Sequence, residues 1–314
     1  MIKPMLAQDF HKDLSQRKIK KYEEEYEGHL DFKNLYSVQP KLDGIRVIAD
    51  LATGNLYKRS GVEVKNCPHL NKDMLELGFA IPGFQFVDGE LYNHELDFSE
   101  INSYVSRTVN ILDTECIQLH LFDVGSEDVF WIRNRLLQNA VKRANNKVHK
   151  SSIYSVETYE CESMDDVLAK HKTFMEDGYE GTMLRLHHLS YEHKRSNQLY
   201  KIKDFQDDEF RIVGWKEEEN HPGYLGSFEV TDDVGNCFAV RPAVTRNIRK
   251  EYWDDRESLI DSLLTVRYQE KSKDGVPRFP IGVDIRSDLS KQQLKKEDYK
   301  LRVPINDNSF HRGW

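Results

Sequence analysis

From residue 206 onward the chain is cut by Gly and Asp turns into short apolar runs at residues 210–215, 226–230, 237–240 and 263–268, with one helical stretch around residues 246–261. Short strands in such number, with a single helix, can bury a core only by closing on one another. They point to a small barrel, of the oligonucleotide-binding or the SH3-like kind. Ahead of residue 206, strand-like runs alternate with longer helical ones at residues 68–77, 133–147 and 163–178, an α+β pattern. At 314 residues there is room for two cores, which gives a first domain over residues 1–205 and the barrel over residues 206–314. Asp207-Asp208-Glu209 reads as an acidic linker between them. Residues 8–34 are charged and sparsely apolar, and Tyr22-Glu23-Glu24-Glu25-Tyr26-Glu27 reads as a surface helix ending near Gly28, a cover rather than a site.

Several classes of protein are excluded at this level. No run of about eighteen apolar residues exists to span a membrane, and the charged start is not a secretory signal, so a cytoplasmic protein is expected. Cys67, Cys116, Cys161 and Cys237 are too scattered for a disulfide framework or a zinc ribbon. A net charge of -8 argues against a wholly basic surface, while leaving room for a local basic groove. Two basic clusters stand out, Arg17-Lys18-Ile19-Lys20-Lys21 and the set Arg241, Arg246, Arg249 and Lys250; each suits either a nucleic-acid grip or a solvated helix face.

The chemistry is concentrated in Gln39-Pro40-Lys41-Leu42-Asp43-Gly44-Ile45-Arg46. Apolar, β-rich runs flank it, so a turn joins two strands there, with Asp43-Gly44 supplying the turn. Lys41 and Arg46 then project near one spot, which suits a lysine nucleophile acting on a nucleotide phosphate, or else a plain solvated hairpin turn. Glu90 sits among apolar neighbours and needs a partner. Leu199-Tyr200-Lys201-Ile202-Lys203 puts two lysines on one strand face, a pairing that an anion such as phosphate would relieve. Glu180-Gly181 precedes another apolar strand, and Phe122 taken alone reads as core.

In order along the chain, these pieces resemble the covalent nucleotidyltransferases, and specifically the small ATP-dependent DNA ligases of viruses and phages. Lys41-Leu42-Asp43-Gly44-Ile45-Arg46 is similar to the nucleophile motif, and Lys58-Arg59-Ser60-Gly61 to the second motif, with Lys58 a departure from the usual Ser. Val87-Asp88-Gly89-Glu90 resembles the third, Leu121-Phe122-Asp123 the aromatic motif, Glu180-Gly181 the fourth and Leu199-Tyr200-Lys201-Ile202-Lys203 the fifth. The sixth corresponds to Arg278 or Arg286; no lysine follows Arg286-Ser287-Asp288, unlike the ending of capping enzymes.

The resemblance implies a nucleotidyltransferase domain with ATP-grasp-like antiparallel sheets, followed by an oligonucleotide-binding (OB) barrel. It implies ATP and Mg²⁺ (or Mn²⁺), a lysyl-AMP intermediate on Lys41, and nicked double-stranded DNA as partner, for a monomer working in the cytoplasm, a host's if viral. Glu180 and Glu90 would serve a metal; Glu90 would also meet the ribose, Phe122 the adenine face, and Gln39 would lie against the base. Arg46 and Arg59 would contact ribose or phosphate, Lys201 and Lys203 the α-phosphate, and Arg241, Arg246, Arg249 and Lys250 the DNA backbone. An RNA ligase or a capping-type nucleotidyltransferase is the alternative.

Overall fold

The computed structural model describes residues 2–26, 34–107, 111–146, 152–272 and 274–286. Gly28, Lys147, Ser287 and Asp288 lie outside the described residues. The chain forms two compact units, Met1–Lys203 and Asp204–Trp314.

The first unit runs β1 (Leu6–Asp9), α1 (Asp13–Tyr26), β2 (Tyr36–Lys41), β3 (Ile45–Asp50), β4 (Leu56–Lys58), β5 (Glu63–Val64), α2 (Pro68–Ala80), β6 (Phe86–Tyr92), α3 (Phe98–Ser106), β7 (Gln118–Val124), α4 (Phe130–Asn145), β8 (Ile153–Ser155), β9 (Tyr159–Cys161), α5 (Met164–Glu176), β10 (Gly181–Leu186) and β11 (Arg195–Ile202). Two sheets result, one in the order β1-β11-β10-β2-β9 and the other β5-β4-β3-β6-β7-β8. Each buries one face under helices. Val38, Leu184 and Ile202 of the first sheet pack with Ile19 of α1 and with Val167 and Phe174 of α5. Val47, Val87 and Leu121 of the second pack with Leu70 and Leu77 of α2 and Leu137 and Ala140 of α4. Helix starts follow their caps: Asp97 with Glu100 and Ser163 with Asp166 both close reciprocal capping boxes, satisfying amides that the first turn leaves free.

Because β2 belongs to one sheet and β3 to the other, the stretch carrying Lys41 is a crossover between sheets and not a hairpin. The solvated-hairpin reading is therefore corrected. Gly44 makes the crossover possible. A Cβ there would stand 2.3 Å from the Leu91 carbonyl oxygen and 2.8 Å from Cγ of Glu90, so no other residue lets the turn lie this close to β6.

The second unit is a closed five-stranded barrel of β12 (Gln206–Glu217), β13 (Leu225–Thr231), β14 (Cys237–Pro242), β15 (Leu263–Tyr268) and β16 (Ile281–Arg286), ordered β12-β13-β14-β16-β15, with α6 (Arg246–Asp254) between β14 and β15. Phe210, Ile212, Phe228, Val230, Val240, Leu264 and Val266 fill its interior. Five strands with a helix between the third and fourth match the OB expectation.

The acidic linker is a second correction, since Asp207, Asp208 and Glu209 lie within β12. Asp207 stands opposite Arg267 of β15 and binds it through two hydrogen bonds of 2.8 and 2.7 Å. Lys271 reaches Asp208 at 2.8 Å and Arg286 reaches Glu209 at 3.0 Å. Opposite charges facing one another across strands make a run of carboxylates a good strand. The helix expected at residues 246–261 is shorter, ending at Asp254 before a 3₁₀ turn at Arg256–Leu259.

Candidate active site

The cleft lies between the two sheets of the first unit and has a volume of about 290 Å³. Gln39 and Lys41 enter it from β2, Arg46 from β3, Glu90 from β6, Phe122 from β7 and Lys201 from β11, with Arg59 on its rim. A roomier hollow of about 610 Å³ opens elsewhere in the unit, beside Gly83, Phe86 and Gly125. None of the motif residues faces it, so the smaller cleft is the candidate site.

Lys41 is the last residue of β2, opposite Gly181 of β10, and its carbonyl accepts from the Glu180 amide at 3.1 Å. That register places the Glu180 carboxylate against Lys41 Nζ, while its other oxygen binds Lys203 Nζ. Burial alone would push Glu180 up, but the two ammoniums hold its carboxyl below the usual range, so it stays ionised. Lys203, though paired, is held below the usual lysine range, first by burial and then by the neighbouring Lys41. Glu180, Lys41 and Lys203 thus form one linked group, two cations to one anion.

Glu90 differs. It faces Arg46 across the β3–β6 ladder, yet makes no hydrogen bond or ion pair among the described residues. Burial, only partly offset by Lys41 and Arg46, pushes its carboxyl up to about 8. The partner that Glu90 needs is not supplied by any described side chain; its position suits a ligand that brings positive charge or donors. No group of three or more His, Cys, Asp or Glu side chains placed to hold a metal ion occurs among the described residues. A hard cation here would accordingly rest on Glu90 and Glu180 and complete its shell with water and phosphate oxygens, which fits Mg²⁺ better than a metal needing a full protein cage.

Arg46 has a partner within the fold. Its Nε and Nη2 bind Asp88 at 2.9 and 2.5 Å, and Nη2 also donates to the Met5 carbonyl at 2.7 Å. Asp88 is fully buried and also accepts from the Tyr191 hydroxyl at 2.8 Å. Arg46 therefore fastens the chain start to the cleft wall, and its guanidinium lies 5.5 Å from the centre of the Phe122 ring.

Gln39 is likewise fully committed. Its Nε2 donates to the Phe122 carbonyl at 3.2 Å and to Thr158 Oγ1 at 2.9 Å, while its Oε1 accepts from Arg185 Nε at 2.9 Å. Arg185 and Arg133 both bind Asp123, at 2.8 Å each, and all three are at most 3% exposed. This buried Arg–Asp–Arg group underlies the Phe122 ring and was not anticipated from sequence. Its signal is there: Asp88, Asp123 and Arg185 each interrupt an apolar strand, where a charge survives only with a buried counter-charge.

On the barrel, three of the four basic candidates have acidic partners. Arg241 and Arg249 both bind Glu218, at 2.7 and 2.9 Å, and Lys250 pairs with Asp254 at 3.0 Å. Arg246 lies 4.7 Å from the centre of the Tyr224 ring. Arg278 pairs with Glu270, and Arg286 with Glu209.

Comparison with known proteins closes the question of family. Residues 4–203, more than half of the chain, match the family described as the ATP dependent DNA ligase domain. The chain belongs to that family. Residues 218–286 match the DNA ligase OB-like domain, so a nucleotidyltransferase domain is followed by an OB-like one. Among relatives, the DNA ligase of African swine fever virus is 25% identical over 276 residues, covering 81% of this chain and 64% of that protein. The DNA ligase of Haemophilus influenzae is 25% identical over 256 residues, covering 76% of this chain and 82% of that protein. A solved Lig E DNA ligase shares the fold, with a TM-score of 0.67, 21% identity, and coverage of 91% of this chain and all of that one. The chain thus spans just under two thirds of the length of the African swine fever virus relatives it matches.

Proposed function

We propose that this chain seals nicks in duplex DNA, using ATP to form a lysyl-AMP intermediate on Lys41. The observation that carries the reading is the position of Lys41: at the end of β2, on a crossover between sheets, in a cleft that also holds an aromatic face, Phe122, and an unpaired carboxylate, Glu90. A lysine nucleophile needs its lone pair, and the Lys41 ammonium must therefore lose a proton before attack. Lys203 shares the Glu180 carboxylate with Lys41, so two cations and one anion stand at the point of attack. The free amine forms a P–N bond to the α-phosphorus of ATP as the bond to pyrophosphate breaks. Lys201, which has no side-chain partner among the described residues, is placed to meet the phosphate oxygens as charge gathers there.

The 5′-phosphate of the nick then takes AMP from Lys41, and the 3′-hydroxyl attacks that phosphate and releases AMP. A divalent cation held by Glu90 and Glu180 would supply further positive charge to the phosphoryl oxygens. The two units divide the work, adenylation in the first and grip on the DNA backbone in the barrel.

The test is incubation with labelled ATP followed by denaturing electrophoresis. A labelled band from the wild-type chain, absent in Lys41→Ala, is expected; a wild type that forms no adduct sinks the reading. Comparing sealing of nicked DNA with nicked RNA then fixes the substrate.

A further inference from the structure

In the barrel, Glu218 stands just beyond the end of β12, and two guanidiniums converge on a single one of its oxygens. Arg241 of β14 donates from Nη2 at 2.7 Å and Arg249 of α6 from Nη1 at 2.9 Å, both to Oε1. Oε2 is shut off from solvent and has no hydrogen bond among the described residues; His221 Nδ1 stands 3.8 Å from it. A carboxylate has acceptor sites on both oxygens, and two guanidinium forks can together offer far more donors than the two used here. The arrangement is thus a cationic seat only partly satisfied by its occupant. Arg241 is 61% exposed along its side chain, so the seat is open from outside, whereas Arg249 is 12% exposed and fixed. Arg246, in the first turn of α6, rests on the Tyr224 ring with no carboxylate bound to it.

We propose that Arg241 and Arg249 form a seat for one backbone phosphate of duplex DNA, and that the Glu218 carboxylate fills this seat until DNA displaces it. The proposal rests on the ligase reading above and deepens it. Phosphate suits the seat better than Glu218 does, because Glu218 meets both guanidiniums with Oε1 alone, whereas a phosphate free of that tether can turn one unesterified oxygen to each. Lys250, neutralised one helical turn along by Asp254, takes no part. Glu218 acts as an internal competitor that weakens non-productive binding at every phosphate and yields where the rest of the DNA is held.

The measurement is the affinity of the full chain for a fluorescein-labelled nicked duplex across a salt series. Glu218→Gln is expected to bind about fivefold tighter with a log–log salt slope close to that of the wild type, since the phosphate contact is made in both and only the competitor is lost. Glu219→Gln removes the same charge from an exposed neighbour without a seat and is the matched control, expected to change binding less than about twofold. Arg249→Gln placed on top of Glu218→Gln should erase the gain. Equal effects of the two Glu→Gln changes, or weaker binding by Glu218→Gln, overturn the proposal. Should Glu218→Gln fail to fold, Arg241→Gln alone decides: a slope flatter by about 1 supports the seat and an unchanged slope overturns it. A wild type without labelled adduct would instead refute the ligase reading, so the two failures are distinguishable.

Discussion

At the Phe122 end of the cleft, Gln39, Asp123, Arg133 and Arg185 leave little hydrogen-bonding capacity unused, whereas at the Lys41 end Glu90 faces the opening without a partner. The first end is completed by folding. The second holds a strained charge balance, two ammoniums on Glu180 and a carboxylate pushed toward neutrality. If the cleft takes ATP as proposed, the contrast separates two jobs in it. A base needs a fixed outline to meet, and a buried network with no slack provides one. A reacting phosphate needs groups whose interactions are completed only when it arrives.

The sharpest break in that comparison is Lys41→Ala, which should abolish covalent nucleotide attachment while leaving thermal stability within about 1 kcal/mol of wild type, since the lysine sits at the less finished end. Retained labelling would move the nucleophile elsewhere. Next comes Asp123→Ala at the other end. It strands Arg133 and Arg185 in the interior and should destabilise the first unit by about 3–5 kcal/mol, read by urea unfolding. A loss under about 1 kcal/mol would show that the network is not what holds this end rigid.

A smaller effect concerns His187, which bonds Ser37 at 2.6 Å across the ladder from Arg185 and extends the completed end. Burial pulls its imidazole down to about 4. The folded protein keeps it neutral while the unfolded chain protonates near 6.5, so its contribution is intact above that pH and declines as pH falls toward 4. The decline is about 1.4 kcal/mol per pH unit within the window. His187→Gln should flatten urea stability between pH 6.5 and 5; an unchanged slope would falsify this assignment.

The smallest expected stability effect has the opposite sign. Glu90 is raised, to about 8, so its contribution is present at low pH and is lost as pH climbs from the unfolded carboxylate value toward 8. Glu90→Gln should therefore stabilise the protein, on the order of 1 kcal/mol at pH 8 and less at pH 5, while adenylation drops at least about tenfold. Full activity in the stabilised variant would show that the unfinished end is incidental.

How much of this was legible in the chain itself follows the same divide. Lys41, Glu90 and Lys201 could be gathered from sequence because the Lys41 end uses short stretches with unusual residue types, and the fold brings them into one cleft. Arg133 and Arg185 could not, because each gains meaning only from Asp123, 10 and 62 positions away. Distance in sequence also explains the misreading of β12, whose carboxylates read as a linker because Arg267 lies 60 residues on. Glu218, the partner of two barrel arginines, lies 23 and 31 residues back from them. Strand β1 has only four residues and no periodicity to announce it; its parallel pairing with β11 defines it.

The crossover at residues 42–44 has a bearing on how the protein comes apart. Lys41 is anchored in one sheet and Glu90 in the other, with their approach set by the bare backbone of Gly44. Any partial opening that parts the sheets disassembles the reactive centre while each sheet keeps its own ladder and helices. Adduct formation should then fade at a lower denaturant concentration than the loss of helical signal, making chemistry itself a gauge of the seam between the sheets.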